Sequence, residues 1–299
     1  MSVRNHGLVL GLGLCLFMLG CSKSTTPLPT QQLIVTTSIS PLADLIRQVG
    51  GDKVNVVNLV PAGNDPHEYE PKPADVRQVA KSSVFFANGV GEELYLNKLV
   101  QNAGNSKLRT VVLADGLTIL GRGPNTVGNP HLWLDVQNAE KYIEKIRLTL
   151  DELSPNNKTY FDQNAQAYLN QLQQLDTWIE TQITTIPAEN RQMLVFHDAW
   201  PYFAKRYGIR LLRPVVQNGE AEPSAKDYAQ ILELIKQNHV RAIFGEVGFN
   251  PKLVQQLATD SGVNYIGNLH DDTLGITADS NSYLAIMKTN TNAIVAALR

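Results

Sequence analysis

Cysteine is almost absent from the 299 residues: Cys15 and Cys21 are the only two. Cys15 falls in the leader described below, so a mature chain has no partner for an internal disulfide even in an oxidising compartment. Stability must then come from packed cores and from any bound ligand. Long basic runs are missing too. Lys and Arg total 26 against 28 Asp and Glu, a formal net charge of −2, which gives no electrostatic footprint for nucleic acid. The nearly unbroken apolar run from Leu8 to Leu19 is too short to span a bilayer. With 43% hydrophobic residues and no low-complexity tract, the roughly 270 residues beyond the leader suffice for one large domain or two lobes.

The apolar run follows Arg4 and His6 and closes on Gly20-Cys21. A basic start, a short apolar segment and a small-residue exit make residues 1–20 a secretory signal peptide. Met18-Leu-Gly-Cys21, followed by Ser22-Lys-Ser-Thr-Thr-Pro-Leu-Pro-Thr30, resembles a bacterial lipoprotein processing site, from which Met18 departs slightly. That resemblance implies a lipid on Cys21 and a flexible tether over residues 21–32. The protein is then expected outside the membrane, facing the periplasm or the cell exterior.

Beyond residue 32, short β-branched runs alternate with longer amphipathic stretches, the pattern of parallel βαβ units. Strands are predicted at Leu33–Thr37, Val54–Val60, Val84–Ala87 and Thr110–Leu113, with helices at Pro41–Val49 and Pro73–Ala80. A second series places strands at Met193–Phe196, Leu211–Val216, Ala242–Gly245 and Asn264–Gly267, with helices at Trp200–Tyr207, Ser224–Asn238 and Pro251–Ser261. Between the two, residues 156–186 contain no glycine and no proline and are flanked by Pro155 and Pro187. The prolines frame one helix. Ala165, Tyr168, Leu172, Leu175, Ile179 and Ile183 share a face of it at three- and four-residue steps. The expected architecture is α/β: two lobes of mostly parallel sheet, residues 33–155 and 188–299, joined by a rigid helix over 156–187. A stiff rod predicts limited hinge closure.

Only six histidines are present: His6, His67, His131, His197, His239 and His270. His67 and His131 each follow a proline in a turn-rich loop, and His197 directly follows a predicted strand. Ligands of open α/β sheets gather beyond the carboxyl ends of strands, so these three side chains could meet in one crevice. Asp271 and Asp272 hold a similar place in the second lobe, and one of them could add a carboxylate. Three imidazoles and a carboxylate suit a divalent ion such as Zn(2+), while Mn(2+) would gain from an oxygen-richer set. Taken singly, each histidine would pass for a hydrogen-bonded loop or core residue. His239, at a helix end, fits that description, and His270 is left out of the set. Trp133, Trp200 and Tyr202 read as core or pocket wall. Asp135 and Asp198 are candidates to orient a ring or to cap a helix, and Glu246 sits where a strand meets the crevice.

Asp65-Pro-His-Glu-Tyr-Glu-Pro71, Asn129-Pro-His-Leu-Trp-Leu-Asp135, Phe196-His-Asp-Ala-Trp-Pro-Tyr-Phe203 and Asp272-Thr-Leu-Gly275, with Asn88-Gly-Val-Gly-Glu-Glu93, Glu222-Pro-Ser-Ala-Lys-Asp227, Phe244–Pro251 and Ser282–Asn290, resemble the zinc/manganese solute-binding proteins of ABC transporters, the cluster 9 or ZnuA/TroA-like family. The resemblance runs from about Leu33 to the C-terminus. It implies one metal between two lobes, held by His67, His131, His197 and Asp272, and delivery to a permease and its ATPase by a monomeric carrier. Manganese members tend to carry glutamate where this chain has His197, which favours zinc first and manganese second. Many zinc members have a long His-rich loop before the second ligand, whereas this chain has only Gly121–Pro130. Two other readings are a zinc hydrolase using His67, His131 and His197 with an open position for water, and a surface adhesin. Neither a His-Glu-x-x-His nor a Gly-x-Ser-x-Gly motif supports the hydrolase.

Overall fold

A computed structural model describes residues 1–3, 32–216 and 223–299. The leader, the tether and Cys21 lie outside the described residues. Among the described residues, no helix is long and apolar enough to cross a membrane.

The chain forms two four-stranded parallel sheets. The first has the order β2-β1-β3-β4, built from β1 (Leu33–Thr37), β2 (Val54–Asn58), β3 (Val84–Ala87) and β4 (Arg109–Val112). The second has the order β6-β5-β7-β8, built from β5 (Gln192–Val195), β6 (Arg210–Leu211), β7 (Ala242–Glu246) and β8 (Asn264–Leu269). In β3 and β5 all four residues are buried, as expected where helices cover both faces of a parallel sheet. Crossover helices α1 (Ser40–Gly50), α2 (Pro73–Lys81) and α3 (Leu96–Ala103) belong to the first lobe, and α6 (Pro201–Tyr207), α7 (Ala225–Gln237) and α8 (Lys252–Ser261) to the second. Pro41 and Pro73 sit in first turns, where a missing N–H costs nothing. Gly208 and Gly262 close α6 and α8 in the left-handed conformation.

β6 is shorter than the six residues expected for it. Leu212, Val215 and Val216 still donate to the carbonyls of Met193, Val195 and Phe196. Pro214 has no N–H to contribute, and the regular ladder stops there. Helices α4 (Val136–Leu153) and α9 (Tyr283–Leu298) were not in the sequence reading. The first starts at an N-cap, where the Asp135 side chain accepts from the Gln137 N–H.

The long helix α5 spans Lys158–Thr184, 27 residues and about 40 Å at ~1.5 Å per residue. All six apolar positions expected on its inner face are buried, and Phe161 joins them. It packs against α1, α4 and α9. The C-terminal helix also reaches back to the first lobe: the Tyr283 N–H donates to Asp44 Oδ2 at 2.8 Å, and its hydroxyl donates to the Trp133 carbonyl at 2.6 Å. One continuous core therefore runs from Val35 and Trp133 through Leu172 and Ile179 to Phe244 and Tyr283. Leu172→Ala, at a fully buried position, should lower unfolding stability by ~2–5 kcal/mol. Urea denaturation of chelator-treated protein checks this, and a loss below about 1 kcal/mol would mean that α5 braces less than its burial indicates.

Candidate metal centre

Side chains from loops that follow β2, β4, β5 and β8 converge in one place. His67 lies in the turn-rich loop after β2, where its N–H donates to Asp65 Oδ1 at 2.8 Å. His131 opens a single 3₁₀ turn, Leu132–Leu134. His197 follows β5 after Phe196, and Asp272 lies beyond the end of β8. One ligand-type atom from each of His67, His131, His197 and Asp272 falls within 4.8 Å of the others. His131, His197 and Asp272 are buried, and the His67 side chain is 18% exposed.

The spacing fits a single ion. The Nε2 atoms of His131 and His197 are 3.3 Å apart. Asp272 Oδ1 lies 3.3 Å from His131 Nε2, and Asp272 Oδ2 lies 3.5 Å from His67 Nε2 and 3.6 Å from His197 Nε2. A tetrahedron with bonds of ~2.0–2.1 Å has edges of about 3.3–3.4 Å. Among the described residues, neither oxygen of Asp272 has a hydrogen-bond partner, nor does His67 Nε2. Buried polar atoms are rarely left so.

The other ring nitrogens explain the orientation. His131 Nδ1 faces Asn129 Oδ1 at 3.0 Å, so Nδ1 carries the proton and Nε2 is left to accept. His197 Nδ1 is hydrogen-bonded to Glu246 Oε2, and the Trp200 indole N–H holds the second Glu246 oxygen at 2.8 Å. Trp200 is thus more than a pocket wall. Asp271 Oδ1 accepts the Asp272 N–H, while its own carbonyl accepts from the Trp133 indole at 2.8 Å. Of two adjacent aspartates, this backbone arrangement turns Asp272 toward the three Nε2 atoms and Asp271 toward His197 Nδ1, at 3.5 Å.

The remaining candidates stay outside the cluster. Asp135 caps α4, and Asp198 Oδ2 accepts from Asn129 at 3.3 Å, so neither carboxylate meets a histidine ring. His270 Nδ1 pairs with the Thr273 carbonyl, and His239 sits at the end of α7 with φ 50°. Glu92 was missed by the sequence reading. It is buried beside His67, with Oε2 at 3.9 Å from Nδ1 and, among the described residues, no hydrogen-bond partner for either oxygen. Its only sequence signal was a Glu pair in the Gly-Val-Gly loop at a strand's carboxyl end. Three successive residues of that loop, Gly89, Val90 and Gly91, have positive φ. Such backbone is strained for a β-branched valine.

Charge in the cluster is unevenly distributed. Burial alone would lower the His67 pKa, but the Glu92 and Asp272 carboxylates outweigh it and raise it to about 9. Burial likewise opposes charge on His197, yet Glu246 and Asp271 bring its pKa well above the ordinary value. His131 goes the other way, lowered to about 4 by burial despite Asp272. Burial pushes Glu92 up to about 8 and Asp271 well above the carboxylate range. Burial would also raise Asp272, but His131 and His67 hold it well below.

Residues 35–297 match the family described as zinc-uptake complex component A, periplasmic (ZnuA). The chain belongs to this family. Among its curated relatives, the manganese-binding lipoprotein MntA of Halalkalibacterium halodurans is 33% identical over 280 residues, 93% of each chain. The manganese ABC transporter substrate-binding lipoprotein PsaA of Streptococcus pneumoniae is 30% identical over 97% of each. The periplasmic zinc-binding protein TroA of Treponema pallidum superposes with a TM-score of 0.84 at 27% identity, covering 90% of this chain and 99% of TroA. Membership of the ZnuA family makes the chain a binding component of an uptake system and not an enzyme.

His67, His197, Glu92 and Asp271 all bind protons more tightly folded than unfolded, so ionic linkage lowers stability as pH rises. The His67 contribution is full below its unfolded pKa of 6.5 and is lost as pH climbs through about 9. The Glu92 contribution fades between 4.5 and about 8. Chelator-treated protein should therefore melt at a lower temperature at pH 9 than at pH 6.5. An equal or higher melting temperature at pH 9 would show that the cluster does not govern stability in this window.

Proposed function

We propose that the chain captures a divalent transition metal outside the membrane and passes it to an ABC permease driven by its ATPase, with Zn(2+) as the preferred cargo and Mn(2+) as a weaker one. His67, His131, His197 and Asp272 are the ligands in this reading. The observation that carries it is the set of 3.3–3.6 Å spacings among three Nε2 atoms and one carboxylate. Four protein ligands leave no position for an activated water, which suits a carrier. Imidazole favours zinc, and at a given nitrogen/oxygen site zinc binds more tightly than manganese. Both Asp272 oxygens face the cluster, which adds the harder donor that manganese needs, and the names of MntA and PsaA agree with that second cargo.

In this reading Cys21 carries the lipid, residues 21–32 act as tether, and a monomer delivers the ion. The lobes comprise residues 33–155 and 188–299, and the segment 156–187 between them limits hinge closure. Metal binding stabilises the folded state by mass action, ~2.7 kcal/mol when free metal is about a hundred times Kd.

Calorimetric titration of the chelator-treated mature chain, first with zinc and then separately with manganese, is the test. A 1:1 zinc isotherm and a weaker manganese isotherm are expected, each with a rise in melting temperature. His67→Ala and His197→Ala should each weaken zinc by more than the ten- to hundredfold typical of losing an orienting residue, while His239→Ala should change nothing. Uptake of neither ion by the wild-type chain overturns the proposal, and an unchanged isotherm in both crevice variants overturns the ligand assignment.

A further inference from the structure

Ligating histidines generally donate their second ring N–H to an acceptor that fixes tautomer and orientation. His131 and His197 have such acceptors in Asn129 and Glu246. Among the described residues His67 has no hydrogen-bonded acceptor, and it is the most exposed of the three. A buried carboxylate, Glu92 Oε2, lies 3.9 Å from its Nδ1.

The adjacent residue shows that Glu92 is not there to build its loop. Glu93 accepts from the Ser38 hydroxyl and from the N–H groups of Asn88 and Gly89, so it supplies the hydrogen bonds that shape the turn. Glu92 accepts none from the described residues, although its side chain is 0% exposed. A carboxylate buried without donors is costly in the absence of a counter-charge.

We propose that Glu92 is a positioning residue for metal capture: it accepts the Nδ1–H of His67 when His67 Nε2 binds the ion. The inference rests on the carrier reading above. Closing the present 3.9 Å separation to a hydrogen bond requires a small rotation of the more exposed ring. It also places a negative charge behind the ligand, which makes the imidazole more basic toward the ion. Glu92 does not touch the metal.

Glu92→Leu and Glu92→Gln distinguish this role from a structural one. Chelator-treated Glu92→Leu should melt at or above the wild-type temperature, because a buried carboxylate without donors has been removed. Its zinc affinity should nevertheless fall by about ten- to hundredfold, and Glu92→Gln, whose amide oxygen still accepts, should lose less. In zinc-loaded protein, long-range proton–nitrogen correlation spectra should show a slowly exchanging His67 Nδ1–H in the wild type. It should be retained in the glutamine variant and exchange rapidly in the leucine variant. Cobalt(II)-loaded Glu92→Leu should keep the wild-type band positions, since the four ligands are intact.

Wild-type zinc affinity in Glu92→Leu overturns the proposal. So does a lowered melting temperature in chelator, which would make Glu92 structural, and so do shifted cobalt bands, which would make it a ligand. If the wild type binds neither zinc nor manganese, the carrier reading fails; if the wild type binds and the variants match it, only the role of Glu92 does.

Discussion

Asp272 has both carboxylate oxygens in a place where no donor satisfies them, wedged between three imidazole nitrogens at 3.3–3.6 Å. Asp271, Glu246 and Glu92 are buried around the same point. A protein interior does not hold this much anionic character without compensation. Protons on His67 and His197, and on the raised carboxyls of Glu92 and Asp271, supply part of it, and a divalent cation would supply it more completely. The parallel sheets, the loops at their carboxyl ends and the shared core serve to keep these groups together against their mutual repulsion.

That work requires a stiff frame. A clamp that closes on its cargo needs a hinge with few contacts across it, whereas here α5, α4, α1 and α9 pack into one apolar mass continuous with both sheets. The Tyr283 bonds to Asp44 and Trp133 fasten the chain's last helix to its first lobe. The loops are tied across the crevice too, with the Gly63 N–H donating to Thr273 Oγ1 at 2.7 Å. Preorganisation of this kind lowers the ordering cost of binding, since the candidate ligands are already held together before any ion arrives.

Much of this frame was legible in the sequence because parallel strands buried on both faces are written as short apolar runs. β1 and β3 begin and end at the residues expected, and α5 is announced by the prolines on either side of it. The histidines stood out through rarity and position, each at the carboxyl end of a strand or in a proline-led loop. What stayed hidden depended on contacts that spacing does not encode. α9 buries Tyr283, Ile286, Met287, Ile294 and Leu298 and is apolar on most of its surface, so it lacks the one-sided stripe that marks a surface helix. Spacing alone does not choose between Asp271 and Asp272; the family resemblance points to Asp272, and the backbone around the Trp133 indole shows how the two are turned apart. Glu92 reads as a solvated charge in a glycine loop until the left-handed turn of Gly89–Gly91 sends it inward.

A carrier must also let go, and the four candidate ligands are graded in burial and restraint. His131 and His197 are almost wholly buried, each locked through Nδ1 to a fixed acceptor. Asp272 is locked through its backbone to Asp271. His67 has the most exposed side chain of the three histidines and, among the described residues, no tight partner for its ring. In the carrier reading, coordination is lost first where restraint is weakest.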